Sequence, residues 1–118
     1  MKMNLLKKLN LREGITLLDI GCGWGALLIE AAKLYKIKGL GITLSEEQFK
    51  AFKERIEKEN LQDYLQVKLM DYRELEKSGL LFDRVVSVGM LEHVGRSNYD
   101  LFMKCVSKVL KKEFIVII

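Results

Sequence analysis

The run Thr16-Leu17-Leu18-Asp19-Ile20-Gly21-Cys22-Gly23-Trp24-Gly25 decides how the rest of the chain is read. The apolar stretch from Ile15 to Ile20 is too short for an ordinary helix and reads as a strand buried on both faces. Glycines follow at once, and a helical period follows them, so the run is a strand, a turn and a helix start. In that setting Gly21 and Gly23 let the backbone turn and approach a ligand with no Cβ in the way, while amides at the helix start point toward an anionic group. A tight structural turn is the alternative use of the same glycines. The spacing is G-x-G-x-G, not the dinucleotide-binding G-x-G-x-x-G, and no G-K-[ST] follows that would make a P-loop.

Working outward, the chain alternates strand and helix. Upstream, Leu5, Leu6 and Leu9 put an apolar stripe on a short helix, which Gly14 is expected to end. Downstream, Leu27, Leu28, Ala31, Leu34 and Tyr35 recur with the period of one helix face. A second strand is expected over about 38–42. Ser45-Glu46-Glu47-Gln48 is then a capping-box pattern, and Phe49, Phe52 and Ile56 continue that helix inward. Strands are expected again over 64–69 and 82–88. A helix carrying Phe102, Val106 and Val109 leads to a terminal strand over 114–118. This alternation calls for an α/β domain with a mostly parallel sheet, right-handed crossovers, and a ligand crevice at the carboxyl ends of the strands.

Composition agrees with one small domain spanning 1–118. The chain has 118 residues, 49% of them hydrophobic and 31% charged, and no proline, where average usage gives roughly six. That argues against a Pro-rich linker or a disordered tail. No apolar run approaches the roughly 20 residues that cross a bilayer, and the start MKMNLLKKLN lacks the core and cleavage site of a signal peptide, so a cytoplasmic location is the expectation. The net charge of +4 is concentrated in Lys2, Lys7, Lys8 and Arg12, offset only by Glu13. Such a stripe suits an anionic membrane surface or simply a solvated face. Without interleaved aromatics it does not suit nucleic acid. Cys22 and Cys105 form no C-x-x-C, and His93 is the only histidine, so neither a metal site nor a disulfide framework is expected.

A nicotinamide cofactor would want an acid near the end of the second strand. Here the strand ends Gly41-Ile42-Thr43, with no acid before Glu46. Thr43 and Gln48 are the polar groups left to face a ribose, unless Gln48 is spent on the capping box. Taken together, TLLDIGCGWG, GLGITLSEEQ, DYREL and FDRVVSVGMLEHVG followed by NY closely resemble the cyclopropane-fatty-acyl-phospholipid synthases, including the mycolic acid cyclopropane synthases, over roughly residues 12–112. The resemblance implies a Rossmann-like class I methyltransferase sheet, cut off after its fifth strand, that uses S-adenosyl-L-methionine. It implies cofactor contacts from Leu17, Leu18, Asp19, Ile20, Gly21, Cys22, Gly23, Trp24 and Gly25, with Asp19 supporting the loop. Thr43, Leu44, Ser45 and Gln48 would lie around the ribose. Asp71, Tyr72 and Arg73 would line the adenine pocket, and Gly89 would lie at the end of the fourth strand. Tyr72 and Asp71 offer the flat wall and hydrogen bond that adenine needs, although Asp71 also suits an Asx-turn.

Glu92 and His93 follow the fourth strand, where ligand-contacting groups belong in this architecture. A solvated loop carries such a pair equally well. The resemblance implies attack of a cis double bond of an unsaturated phospholipid acyl chain on the activated methyl group. The resulting cation then loses a proton to a bound bicarbonate, for which Glu92 is one ligand. The site must hold the poorly nucleophilic alkene close and exclude water. Neither Cys22 nor Cys105 corresponds to the family's cysteine at that site. His93 is expected to support the loop. The apolar terminal run 114–118 reads as an unpaired sheet edge open to association, and the chain as a fragment. Two other readings remain at this point: a small-molecule methyltransferase with the same loop, or a non-catalytic remnant that binds cofactor or a partner chain. The basic first segment would aid peripheral contact with the inner membrane surface.

Overall fold

The first strand, β1 (Thr16–Ile20), is buried along nearly its whole length, as its continuous apolar run requires. The structure, a computed structural model, describes residues 9–87 and 99–110. After β1 come α1 (Ala26–Tyr35), β2 (Lys38–Thr43), α2 (Glu46–Lys58) and β3 (Leu65–Leu69). A 3-10 turn (Tyr72–Glu74) leads into the single helical turn α3 (Leu75–Ser78), and β4 (Arg84–Val86) and α4 (Tyr99–Ser107) complete the described elements. The sheet order is β3-β2-β1-β4, with every pair parallel. Four strands therefore lie among the described residues, and the expected fifth, over 114–118, lies outside them. A parallel bridge between Phe82 and Leu110 does lie beside β4.

The period of two sends alternate β1 residues to opposite layers. Leu17 joins a cluster with Leu28, Ile29, Phe52 and Ile56 from α1 and α2. Leu18 and Ile20 join Leu75, Phe102 and Val106 from α3 and α4 on the other face. Helix α1 is rotated from the expected stripe: Leu28, Ile29, Ala31 and Ala32 are buried, whereas Leu34 is 51% exposed. The cause lies in β2. A Cβ at Gly39 would stand 2.9 Å from Leu28 Cδ2, and one at Gly41 would stand 3.0 Å from Leu28 Cδ1. The two glycines open a gap on one face of the sheet, and α1 settles into it with Leu28 and its alanine pair inward.

Two other boundaries differ from expectation. Residues 9–14 are turn and irregular chain, with Asn10 at φ +50°, so Gly14 ends no helix. Leu5 and Leu6 lie outside the described residues. Of the strand expected over 82–88, residue 88 lies outside the described residues and the ladder starts only at Arg84, because Asp83 turns to clasp β1. Thr16 donates to Asp83 Oδ2 through its amide at 2.9 Å and its hydroxyl at 3.0 Å, and the Asp83 amide donates back to Thr16 Oγ1 at 2.9 Å. Arg84 Nε donates to the Leu9 carbonyl at 2.9 Å, so the amino end of the sheet is held by contacts remote in sequence. The buried Ser87 hydroxyl donates to the Ile20 carbonyl at 3.2 Å. Val109, expected on the last helix, is buried in the turn just after it. As an edge strand, β3 keeps Leu65 inward and presents Gln66 and Lys68 to solvent, a composition that discourages further pairing.

Candidate functional site

The carboxyl ends of β1, β2 and β3 open on one rim. The Gly21 and Cys22 amides both donate to the Ile42 carbonyl, at 2.9 and 3.0 Å, so the glycine loop is pinned to the end of β2. Gly21, Gly23 and Gly25 all take positive φ. Gly25 is the N-cap of α1 at φ +84° and supplies no side-chain cap. The first-turn amides are thus left for water or a ligand, at the positive end of the helix dipole. Gly25 has no alternative here, because a Cβ would stand 2.2 Å from Cδ1 of the fully buried Phe52. Trp24 stands on the loop, 55% exposed.

Asp19 lies beneath the loop on the face of β1 that also carries Leu17. It is 4% exposed and accepts no hydrogen bond from any described residue. Burial pushes its carboxyl up to about 7, since the charged form loses hydration with nothing to replace it. The neighbouring Cys22 thiol is pushed up to about 12 by burial and then by the Asp19 charge. Cys22 is a free, buried cysteine, as is Cys105. Its Sγ occupies the space left by Gly41, where a Cβ would stand 2.8 Å away.

At the end of β2, Thr43 is buried and its hydroxyl serves two partners. It donates to Gln48 Oε1 at 3.2 Å and accepts from the Ser45 amide at 3.1 Å. Ser45 Oγ accepts from the Gln48 amide at 3.2 Å and caps α2. Only half of the expected capping box therefore forms. The Gln48 side chain turns to Thr43, which takes the Ser45 amide in its place. Leu44 beside them is 69% exposed.

After β3, Asp71 takes the Asx-turn role. Its Oδ1 accepts from the Arg73 amide at 2.9 Å, and its carboxylate is gripped by Arg73 Nε and Nη2 at 3.1 and 2.8 Å. The Arg73 hydrogen bonds hold the Asp71 carboxyl below its ordinary value. Tyr72 sets its ring edge against Phe102, with centroids 5.0 Å apart. Gly89, Glu92 and His93 lie outside the described residues. Leu69, 47% exposed at the end of β3, joins the rim without having been singled out from the sequence. Beneath it Gly41 makes room for Cys22, and Phe52 packs under Gly25, supporting roles that the sequence reading did not assign to these strand and helix positions. The Gly39-x-Gly41 spacing within a strand was the available signal for the first of them.

Chemically, the rim offers an open helix start for an anion, a buried carboxyl for a cation, the Thr43–Gln48 pair for hydroxyls and an aromatic face at Tyr72. Among the described residues no three His, Cys, Asp or Glu side chains gather as metal ligands, and no helix is long and apolar enough to cross a membrane.

The chain is similar to known proteins over most of its length. A probable fatty acid methyltransferase of Pseudomonas putida is 50% identical over 99 residues, covering 84% of this chain and 25% of its own length. The cyclopropane-fatty-acyl-phospholipid synthase of Escherichia coli K12 is 44% identical over 114 residues, covering 97% of this chain and 28% of that protein. The crystal structure of mycolic acid cyclopropane synthase CmaA1, complexed with SAH and CTAB, superposes with a TM-score of 0.87 at 33% identity, over 98% of this chain and 40% of that one. The chain thus spans from a quarter to two fifths of the length of these relatives. The family profile described as mycolic acid cyclopropane synthetase matches residues 1–118, and the chain belongs to that family.

Proposed function

We propose that this chain is the S-adenosyl-L-methionine-binding core of a cyclopropane fatty acid synthase, folded as one domain over 1–118. The observation that carries the reading is the α1 start, left without a side-chain cap by Gly25 and set above the buried, unpartnered Asp19. A zwitterionic amino acid joined to a nucleoside matches that donor set: its carboxylate suits the open amides and its cationic end suits Asp19. The run Leu17 to Gly25 forms this part of the site. Thr43, Leu44, Ser45 and Gln48 lie toward the ribose, and Asp71, Tyr72 and Arg73 toward the adenine, and Gly89 would be a further contact. Because Arg73 already holds Asp71, Tyr72 supplies most of that wall.

When bound, the cofactor supplies a methyl group activated by its sulfonium. The chain's own work is to orient it and keep water away from the reacting face, for which the exposed apolar side chains Trp24, Leu44 and Leu69 are suited. The substrate would be a cis double bond of an unsaturated phospholipid acyl chain. Glu92 would help hold the bicarbonate that removes the proton. Lys2, Lys7, Lys8 and Arg12 would favour peripheral contact with the inner membrane surface from the cytoplasmic side, and residues 114–118 would provide an edge for association.

Titration calorimetry with S-adenosyl-L-methionine tests the reading: saturable binding is expected, and no heat at millimolar cofactor would sink it. Mass spectrometry of unsaturated phospholipids separates binding from turnover. These 118 residues alone are expected to add no methylene. In a full-length relative carrying this segment, Glu92→Gln is expected to slow turnover far more than it weakens cofactor binding. Unchanged turnover would remove Glu92 from catalysis.

A further inference from the structure

Asp19 is the one buried carboxyl among the described residues, and the fold gives it nothing to pair with. Its ladder neighbours are Gly41 on β2 and Val86 on β4, neither of which carries a polar side chain. Helices α1 and α2 bring Leu28, Ile29 and Phe52 to the same face. From the loop comes Cys22, whose thiol stays neutral throughout the ordinary pH range. No cation and no donor among the described residues reaches Asp19, so no protein group offsets the hydration that its ionised form loses on burial.

The other carboxylates near the rim are differently placed. Asp71 is gripped by Arg73, Glu46 and Glu47 lie exposed on the first turn of α2, and β2 ends in Thr43 with no acid. A ligand that is anionic at the helix start and cationic elsewhere therefore meets one buried carboxyl able to answer its positive charge.

Building on the cofactor reading of the glycine loop, we infer that Asp19 is a neutral acid in the free chain and surrenders its proton to solvent when a cationic group of the cofactor binds at the loop above it. Binding and proton release are then one event: the Asp19 O–H bond breaks, the proton passes to buffer, and the carboxylate left behind pairs with the incoming cation. Its raised titration point, about 7, places the coupling in the neutral range. Below that point affinity falls about tenfold per pH unit, because the proton must be displaced each time. The positive charge is either the ammonium or the sulfonium. S-adenosylhomocysteine keeps the first and lacks the second.

Calorimetry of the whole chain, at pH 6 and pH 8 in buffers of different ionisation heat, reads the proton directly. Release of nearly one proton at pH 6 and nearly none at pH 8 is expected. Equal release with S-adenosylhomocysteine assigns the coupling to the ammonium, and release with S-adenosyl-L-methionine alone assigns it to the sulfonium. Binding whose heat is the same in every buffer at pH 6 overturns the inference and leaves the cofactor reading intact, whereas absence of binding refutes both. Asp19→Asn is expected to abolish the release and flatten the affinity between pH 5.5 and 7; release that persists in this variant overturns the assignment to Asp19. Carboxyl ¹³C resonances of the ligand-free chain give an independent reading. An Asp19 midpoint near 7 supports the inference, and one near the ordinary aspartate value overturns it.

Discussion

Replacing Gly25 by alanine puts a methyl group where the Phe52 ring already stands. Two costs add. At φ +84° an alanine pays about 1–2 kcal/mol for the left-handed conformation, reduced by roughly 0.5 kcal/mol because the unfolded alanine chain is less free. Forcing the buried ring aside adds about 1–3 kcal/mol of overpacking, for a total of about 2–4 kcal/mol. Gly23→Ala is the control, since φ there is +58° but nothing lies within 4 Å of the added Cβ; it should cost about 1 kcal/mol. Urea unfolding followed by circular dichroism measures both. Gly25→Ala combined with Phe52→Leu should cost less than the sum of the two single changes, because the smaller side chain makes room for the methyl group. Calorimetry should show cofactor binding weakened more by Gly25→Ala than by Gly23→Ala, since the ring can yield only by shifting α2 or the start of α1. If the two glycine variants match within about 0.5 kcal/mol, a difference at the level where distant sites simply add, the argument that Phe52 holds the loop from below is wrong.

Other outcomes follow from the same geometry. At pH 8 the Cys22 thiol, held near 12, should react with alkylating reagents about a thousandfold more slowly than free cysteine, and peptide mapping that finds rapid native-state labelling at Cys22 would contradict its burial. Thr16→Val removes the hydroxyl that donates to Asp83 Oδ2 and accepts from the Asp83 amide, while the Thr16 amide keeps Oδ2 and the Asp83 amide keeps the Thr16 carbonyl, so chemical denaturation should register a loss of about 1–2 kcal/mol; an unchanged midpoint would show the hydroxyl to be idle. For Asp19, the folded value of about 7 lies above the ordinary 3.8, so the unfolded chain binds fewer protons between those points and stability falls as pH rises. Relative to Asp19→Asn, the wild type should lose about 1.4 kcal/mol per pH unit from about pH 4 to pH 7, approaching 4 kcal/mol, with no further change above. A pH-independent difference between the two would refute a neutral Asp19.

The strand-loop-helix at 16–35 was legible because its signals are local: a continuous apolar run, glycines and a helical period all fall within a few turns of chain. The same holds for the Ser45 cap, whose partner amide is three residues away. What escaped was set by distant partners. Leu34 fits the apolar period of α1, but the gap at Gly39 and Gly41 rotates the helix, and no pattern inside the helix reports a gap in the next strand. The Gln48 side chain was drawn off its box by Thr43, a competition that periodicity does not rank. Asp83 reads as part of a strand start until Thr16 is seen beside it. At the site, the glycine loop and Thr43 could be found by residue type and spacing. The solitude of Asp19 could not, because it depends on what Gly41 and Val86 fail to supply.

The clasp at the amino end of the sheet also bears on the order in which the chain assembles. Strand β1 reaches β2 across the stretch from Thr16 to Lys38, but it reaches β4 only across the stretch from Leu17 to Arg84, a loop roughly three times longer whose closure costs about 1 kcal/mol more. The β1-α1-β2-α2-β3 half, with the glycine loop inside it, is therefore favoured to form first, and β4 with its Thr16–Asp83 seal to arrive afterward. Substitutions at Leu28 should then slow refolding, while those at Val85 should chiefly quicken unfolding, a division that stopped-flow kinetics can read. The strand that carries Asp19 would be committed to its loop before the fold has closed on its other side.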